Sequence, residues 1–149
     1  MIEPYKTVFA GLSPLLKELL FALSNESSFG ATYVRPDGYR LIIAVEQSGM
    51  AFSAELEKYG TGSAGHLSPV CLMEALDPKN AAIATQAIRT RGYTEESVSI
   101  WWRTFLSFLT DKGAVAFSFP SSGPSWDKYV EVCNRKMDEM GFSSCPKIK

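Results

Sequence analysis

Leucines at positions 15, 16, 19, 20 and 23 recur at the spacing of one helical face, and Ser13-Pro14 just before them has the chemistry of a helix start. The serine oxygen can accept from an early backbone N–H, and proline at the first position has no N–H to leave unpaired. The polar run Ser24-Asn25-Glu26-Ser27-Ser28 ends this expected helix. The pattern then changes to a period of two. Residues 31–35 and 39–46 read as strands around Arg35-Pro36-Asp37-Gly38, where proline presets the first turn position and glycine takes the left-handed one. Tyr39, Leu41, Ile43 and Val45 alternate with Arg40, Ile42, Ala44 and Glu46. After Ser48-Gly49, Met50, Phe52, Ala54 and Leu56 alternate with Ala51, Ser53, Glu55 and Glu57. The expectation is a three-stranded antiparallel meander, with a helix as the rival reading of the third segment because Phe52, Leu56 and Tyr59 also fit a helical period.

Gly60 to Gly65 is a loop by composition. Ser68-Pro69 opens a helix to Leu76, Asp77-Pro78 starts another to about Arg91, and Gly92 closes it. Thr94-Glu95-Glu96 starts the most apolar segment of the chain, with Val98, Ile100, Trp101, Trp102, Phe105, Leu106, Phe108 and Leu109 against a narrow polar stripe of Ser99, Arg103, Ser107 and Asp111. A helix so apolar must be covered on most sides and belongs at the centre. Asp111-Lys112-Gly113 reads as a turn into a short strand, Ala114 to Phe119. Ser125 reads as the cap of a last helix, with Trp126, Val130, Cys133, Met137 and Met140 on one side and Gly141 at its end. The fold class expected is α+β, in one domain spanning 1–149: an N-terminal helix, the meander, a helical segment with a central apolar helix, one further short strand and a C-terminal helix.

Composition narrows the functional classes. With 149 residues of which 46% are hydrophobic, the chain can bury one sizeable core without a metal or disulfide staple. A formal net charge of -1 supplies no footprint for nucleic acid. The stretch around Leu15 to Leu23 is interrupted by Lys17 and Glu18 and falls well short of the roughly 20 apolar residues of a membrane span. The opening residues lack the basic start and apolar run of a secretory signal, so a cytoplasmic protein is expected. Cys71, Cys133 and Cys145 form no Cys-x-x-Cys pattern. The first two sit among apolar neighbours as small core residues, and Cys145 lies in a polar tail.

Three constellations carry candidate chemistry. Gly60-Thr61-Gly62-Ser63-Ala64-Gly65 has the glycine spacing of dinucleotide-binding loops, yet the segment before it carries Glu55, Glu57 and Lys58 where that fold needs a buried parallel strand. His66 is the only histidine, so no histidine pair can hold zinc, and any serine or cysteine triad would have to use it as base. Glu46, Glu55 and Glu57 are expected on the open face of the meander, where like charges repel one another and a basic partner would relieve the repulsion. Trp126, beside Pro124, is the aromatic most readily placed at the surface, as an anchor for a partner or simply as the start of a packed helix.

By elimination, the residues point to a non-catalytic protein-binding module without metal or cofactor. The combination suits a cytosolic inhibitor of a cognate protein, as a bacterial toxin-immunity protein is, contacting a basic toxin domain through Glu46, Glu55, Glu57 and Tyr59. One alternative is a small enzyme or nucleotide-binding domain using Gly60, Gly62, Gly65 and His66. A cytosolic chaperone for an exported protein is a further one. Neither the partner nor the oligomeric state is written in the sequence.

Overall fold

Helix α1 (Tyr5–Glu18) is the first element of the structure, a computed structural model that describes residues 1–46, 51–59, 65–119 and 123–139. It runs through Pro14, where the sequence pattern places a helix start. Proline inside a helix forgoes one hydrogen bond and crowds the preceding turn, at a cost of about 3 kcal/mol. That is outweighed by one continuous apolar face, Tyr5, Val8, Phe9, Leu12 and Leu16, whose side chains each gain roughly 1.5–3 kcal/mol on burial. The leucine stripe read from the sequence is therefore displaced. Leu16 and Leu19 are buried, but Leu20 and Leu23 lie beyond the helix and are exposed.

Five strands follow or flank the expected meander: β1 (Ala22–Ser27), β2 (Gly30–Val34), β3 (Tyr39–Val45), β4 (Phe52–Lys58) and β5 (His66–Leu67). They lie in the sheet in chain order, each antiparallel to its neighbour. The polar run beginning at Ser24, read as the end of the first helix, is instead most of an edge strand. β1 is exposed along its whole length, so it shows no apolar alternation and is held by backbone pairing to β2. The third meander segment is a strand, paired with β3 from Tyr39 opposite Lys58 to Val45 opposite Phe52, and not a helix. Between β2 and β3 the turn forms as its residues dictate: Gly38 sits at φ 95° and its N–H donates to the Arg35 carbonyl at 3.1 Å.

Tyr39, Leu41, Ile43 and Val45 of β3, with Leu56 and Leu67, give the sheet a buried inner face. Helix α1 and the central helix α4 (Glu95–Ala116) cover it with rings: Phe9 lies edge-on to Trp102 at 5.1 Å, and Phe52 of β4 edge-on to Trp101 at 4.9 Å. Trp102, Phe105, Leu106 and Phe108 are wholly buried, as the apolar run requires. Helices α2 (Pro69–Leu76) and α3 (Pro78–Arg91) connect sheet to core, and α5 (Pro124–Glu139) packs on α2. The starts of α2, α3 and α4 are capped by the expected side chains, whereas Ser125, read as the cap of the last helix, lies inside α5, which begins at Pro124. Ser68 accepts from the Cys71 N–H at 3.3 Å, Asp77 from Asn80 at 3.3 Å and Thr94 from Ser97 at 3.1 Å.

Two expectations for the C-terminal part are overturned. Ala114–Phe119 is not a strand: Gly113 lies inside α4, which continues to Ala116 and ends in a turn. The alternation of Val115, Phe117 and Phe119 is overruled by the helical period, which buries Ala116 completely and turns Val115 outward. In α5 the buried side is Tyr129, Val132 and Cys133. The stripe read through Trp126, Val130 and Met137 is half-buried at its flank, since α5 meets the core through Tyr129. Trp126 is not a free surface ring; it packs edge-on to Phe119 at 5.5 Å. Met140 and Gly141 lie outside the described residues. The result is a mixed α+β structure with an N-terminal helix, an antiparallel sheet, a helical core and a C-terminal helix. Among the described residues no helix is long and apolar enough to cross a membrane.

Candidate functional site

With α1 and α4 on one side of the sheet, the alternate residues of each strand form an outer face. The register sets them in rows. One row runs Val34, Arg40, Glu57 and His66 from β2 to β5, and the next runs Asn25, Thr32, Ile42 and Glu55 from β1 to β4. Tyr59 follows Glu57 by two residues and so continues the same face past the end of β4.

The acids and the histidine, which the sequence divides between two rival readings, meet here. His66 Nδ1 contacts Glu55 Oε1 and lies 3.9 Å from Glu57 Oε2. The other oxygen of Glu57 accepts from Arg40 Nη2 at 2.5 Å. The Arg40 guanidinium also stands 5.0 Å from the centre of the Tyr59 ring, which is 70% exposed. Glu57, at 12% side-chain exposure, is the half-buried hub, whereas Glu55 and His66 at 40% and 50% are more open to solvent. Strand pairing explains the assembly. Glu57 is directly opposite both Arg40 and His66, so three charged or polar side chains share one row without help from a flexible loop.

Glu46 is not part of this cluster. It follows β3 four residues beyond Ile42, the partner of Glu55, which puts about 14 Å of strand between the two acids. Its charge is felt instead by the buried Tyr5 hydroxyl, whose pKa is raised mainly by burial and further by Tyr93 and Glu46. Gly65 is buried next to His66. Gly60 and Gly62, the remaining members of the glycine loop, lie outside the described residues. Arg40 is the member that sequence reasoning missed. The alternation places it on the outer face, but only the β3–β4 register reveals that it faces Glu57.

Concave surfaces lie elsewhere. A groove of about 410 Å³ between α1 and β1 is floored by Phe9, Leu16, Phe21 and Tyr33, with Lys6 and Lys17 at its rim. A shallower one of about 550 Å³ runs between α3 and α4 along Ile83, Ala87 and Ile100. Neither gathers the convergent polar groups that fix a small molecule's orientation. Cys71 of α2 and Cys133 of α5 are buried free thiols whose ionisation is coupled. The Cys133 interaction draws the Cys71 pKa down to about 7, helped by Ser68 and by Lys136. Cys133 is pushed up by the neighbouring Cys71 and by burial.

No protein-family model matches the chain, and neither a curated protein nor a solved structure matches it.

Proposed function

We propose that this protein is a non-catalytic binding module, an inhibitor of a cognate protein in the manner of a cytoplasmic toxin-immunity protein, and that it docks through the outer face of the sheet. The observation that carries the reading is the Arg40–Glu57–His66–Glu55 network beside the exposed ring of Tyr59, set on a sheet face that no helix covers among the described residues. Side chains already held by one another lose little freedom when a partner arrives, and Tyr and Arg are the residue types that most often anchor interfaces.

Charge defines the partner's contact. Arg40 balances Glu57, so the surplus negative charge of the cluster rests on Glu55. A lysine or arginine of the partner is the natural counterpart at that point, with an apolar pocket for Tyr59. The field is weaker than three unpaired acids would give, so the salt dependence of association should be moderate.

The test is binding and inhibition of the product of the adjacent gene. Glu55→Lys and Tyr59→Ala should each weaken the complex at least tenfold while leaving the melting temperature within a few degrees. Full affinity in both variants would remove this face as the interface, and an adjacent product that is neither bound nor inhibited would remove the inhibitor reading.

A further inference from the structure

The geometry points to a binding site for a divalent transition-metal ion, zinc above all, formed by Glu55, Glu57 and His66. These residues each offer one ligand atom, and the three atoms all lie within 4.8 Å of one another. Two atoms bound to the same zinc ion at 2.0–2.2 Å are roughly 3–3.5 Å apart. His66 Nδ1 already touches Glu55 and stands 3.9 Å from Glu57 Oε2, so small side-chain rotations bring all three to one ion while the backbone stays in place.

The scaffold favours this over a chance meeting of surface charges. Glu57 and His66 are a paired position of β4 and β5, and Glu55 is two residues from Glu57 on the same face, so backbone pairing fixes the spacing of the donors. Arg40 holds Glu57 by Oε1 and leaves Oε2 facing the imidazole, the kind of outer hydrogen bond that orients a ligating carboxylate. The guanidinium also leaves the cluster a formal charge of one negative unit with His66 neutral, less attractive to a cation than two free carboxylates.

The donor set selects the ion. One imidazole with two carboxylates suits zinc, cobalt or nickel, whereas calcium and magnesium prefer oxygen alone. Three protein ligands leave at least one position to water or to an incoming side chain, and the exposure of Glu55 and His66 makes that position reachable. Zinc loading does not depend on the docking reading, because it concerns the isolated protein; if zinc fails to bind, the docking face stands.

The experiment titrates the tag-free, chelator-treated protein, carrying Cys145→Ser, with zinc by calorimetry while following the imidazole resonances of the sole histidine by NMR. Cobalt serves as the visible-absorption probe. One equivalent of zinc is expected to shift the His66 signals. His66→Ala, Glu55→Gln and Glu57→Gln should each weaken binding at least tenfold, and Glu46→Gln should leave it unchanged. Two results overturn the site. One is zinc binding that leaves the His66 resonances in place, which would assign the ion to the cysteines or elsewhere. The other is affinity equal in all four variants or absent in the parent, with circular dichroism showing each protein folded.

Discussion

The Tyr39 hydroxyl donates to the backbone carbonyl of Phe119, tying the start of β3 to the segment after α4 across 80 positions of sequence. The ring itself packs edge-on to Phe117 at 5.2 Å, so the side chain closes one end of the sheet through both contact and hydrogen bond. Tyr39→Phe keeps the ring and leaves a buried carbonyl without its donor. The expected loss is about 1–3 kcal/mol in urea unfolding. An unchanged midpoint would show that the carbonyl finds another partner.

Buried tyrosines set the alkaline limit of stability. Burial pushes Tyr39 up to about 12, and raises Tyr5 and Tyr129 as well. In the unfolded chain these phenols ionise near their ordinary value of about 10. Their contribution is therefore complete below about pH 10 and is lost as pH rises through the folded values, because the unfolded state releases its protons first. The urea midpoint should fall steadily from pH 10 to 12, and phenolate absorbance should rise together with unfolding. Phenolate forming in the still-folded protein would contradict the burial of these side chains.

The aromatic helix should be the most sensitive part of the core. Phe105 is wholly buried and meets the rings of Trp101, Trp102 and Phe108. Phe105→Ala is expected to cost about 3–5 kcal/mol. Acrylamide should quench half-buried Trp126 readily and leave Trp101 and Trp102 shielded, which variants carrying each tryptophan alone can measure.

Ser97 is a buried polar residue with a full set of bonds. Its Oγ accepts from the Thr94 N–H at 2.8 Å and donates to the Gly92 carbonyl at 2.5 Å, while its own N–H is capped by Thr94. Thr94→Ala should lower stability by about 1 kcal/mol, the ordinary value of a helix cap. Ser97→Ala should cost more, since it removes the bonds to the Thr94 N–H and the Gly92 carbonyl at once. Equal losses in thermal unfolding would argue that the cap alone matters.

For the thiol pair, the expected outcome is a pH profile. In a Cys145→Ser background, labelling of Cys71 should set in at a lower pH than for an ordinary thiol, and Cys133→Ala should move the profile upward by removing the neighbouring thiol. A profile indifferent to Cys133 would separate the two thiols.

Local chemistry was the legible part of this sequence. The Arg35–Gly38 turn, the caps Ser68, Asp77 and Thr94, and the largely apolar segment from Val98 to Leu109 each announce their structure through neighbours within a few positions. β1 was hidden because an edge strand exposed on both faces needs no alternation, and α1 because Pro14 imitates a helix start. Val115 and Phe117 imitate a strand only while Ala116, the buried residue between them, is overlooked. The site shared this division. Glu55 and Glu57 were placed on one face by period alone, but their meeting with His66 and Arg40 depends on the registers of two separate pairings, which no local pattern encodes. Glu46 shows the converse: correct parity puts a residue on a face and says nothing of how far along it lies.

The chain-order sheet has a consequence for synthesis. Every strand pairs with one made immediately before or after it, so the hairpins from Ala22 to Lys58 close short loops and can zip as soon as they emerge. Their cover does not arrive so soon, because Trp101, Trp102 and Phe105 lie in a helix completed only at Ala116. At roughly 5–20 residues per second, the ribosome takes several seconds to span that gap. During that interval Leu41, Ile43 and Val45 have only α1 to shelter them, and the growing polypeptide is a half-shell whose sticky side is sealed when the central helix α4 closes over it.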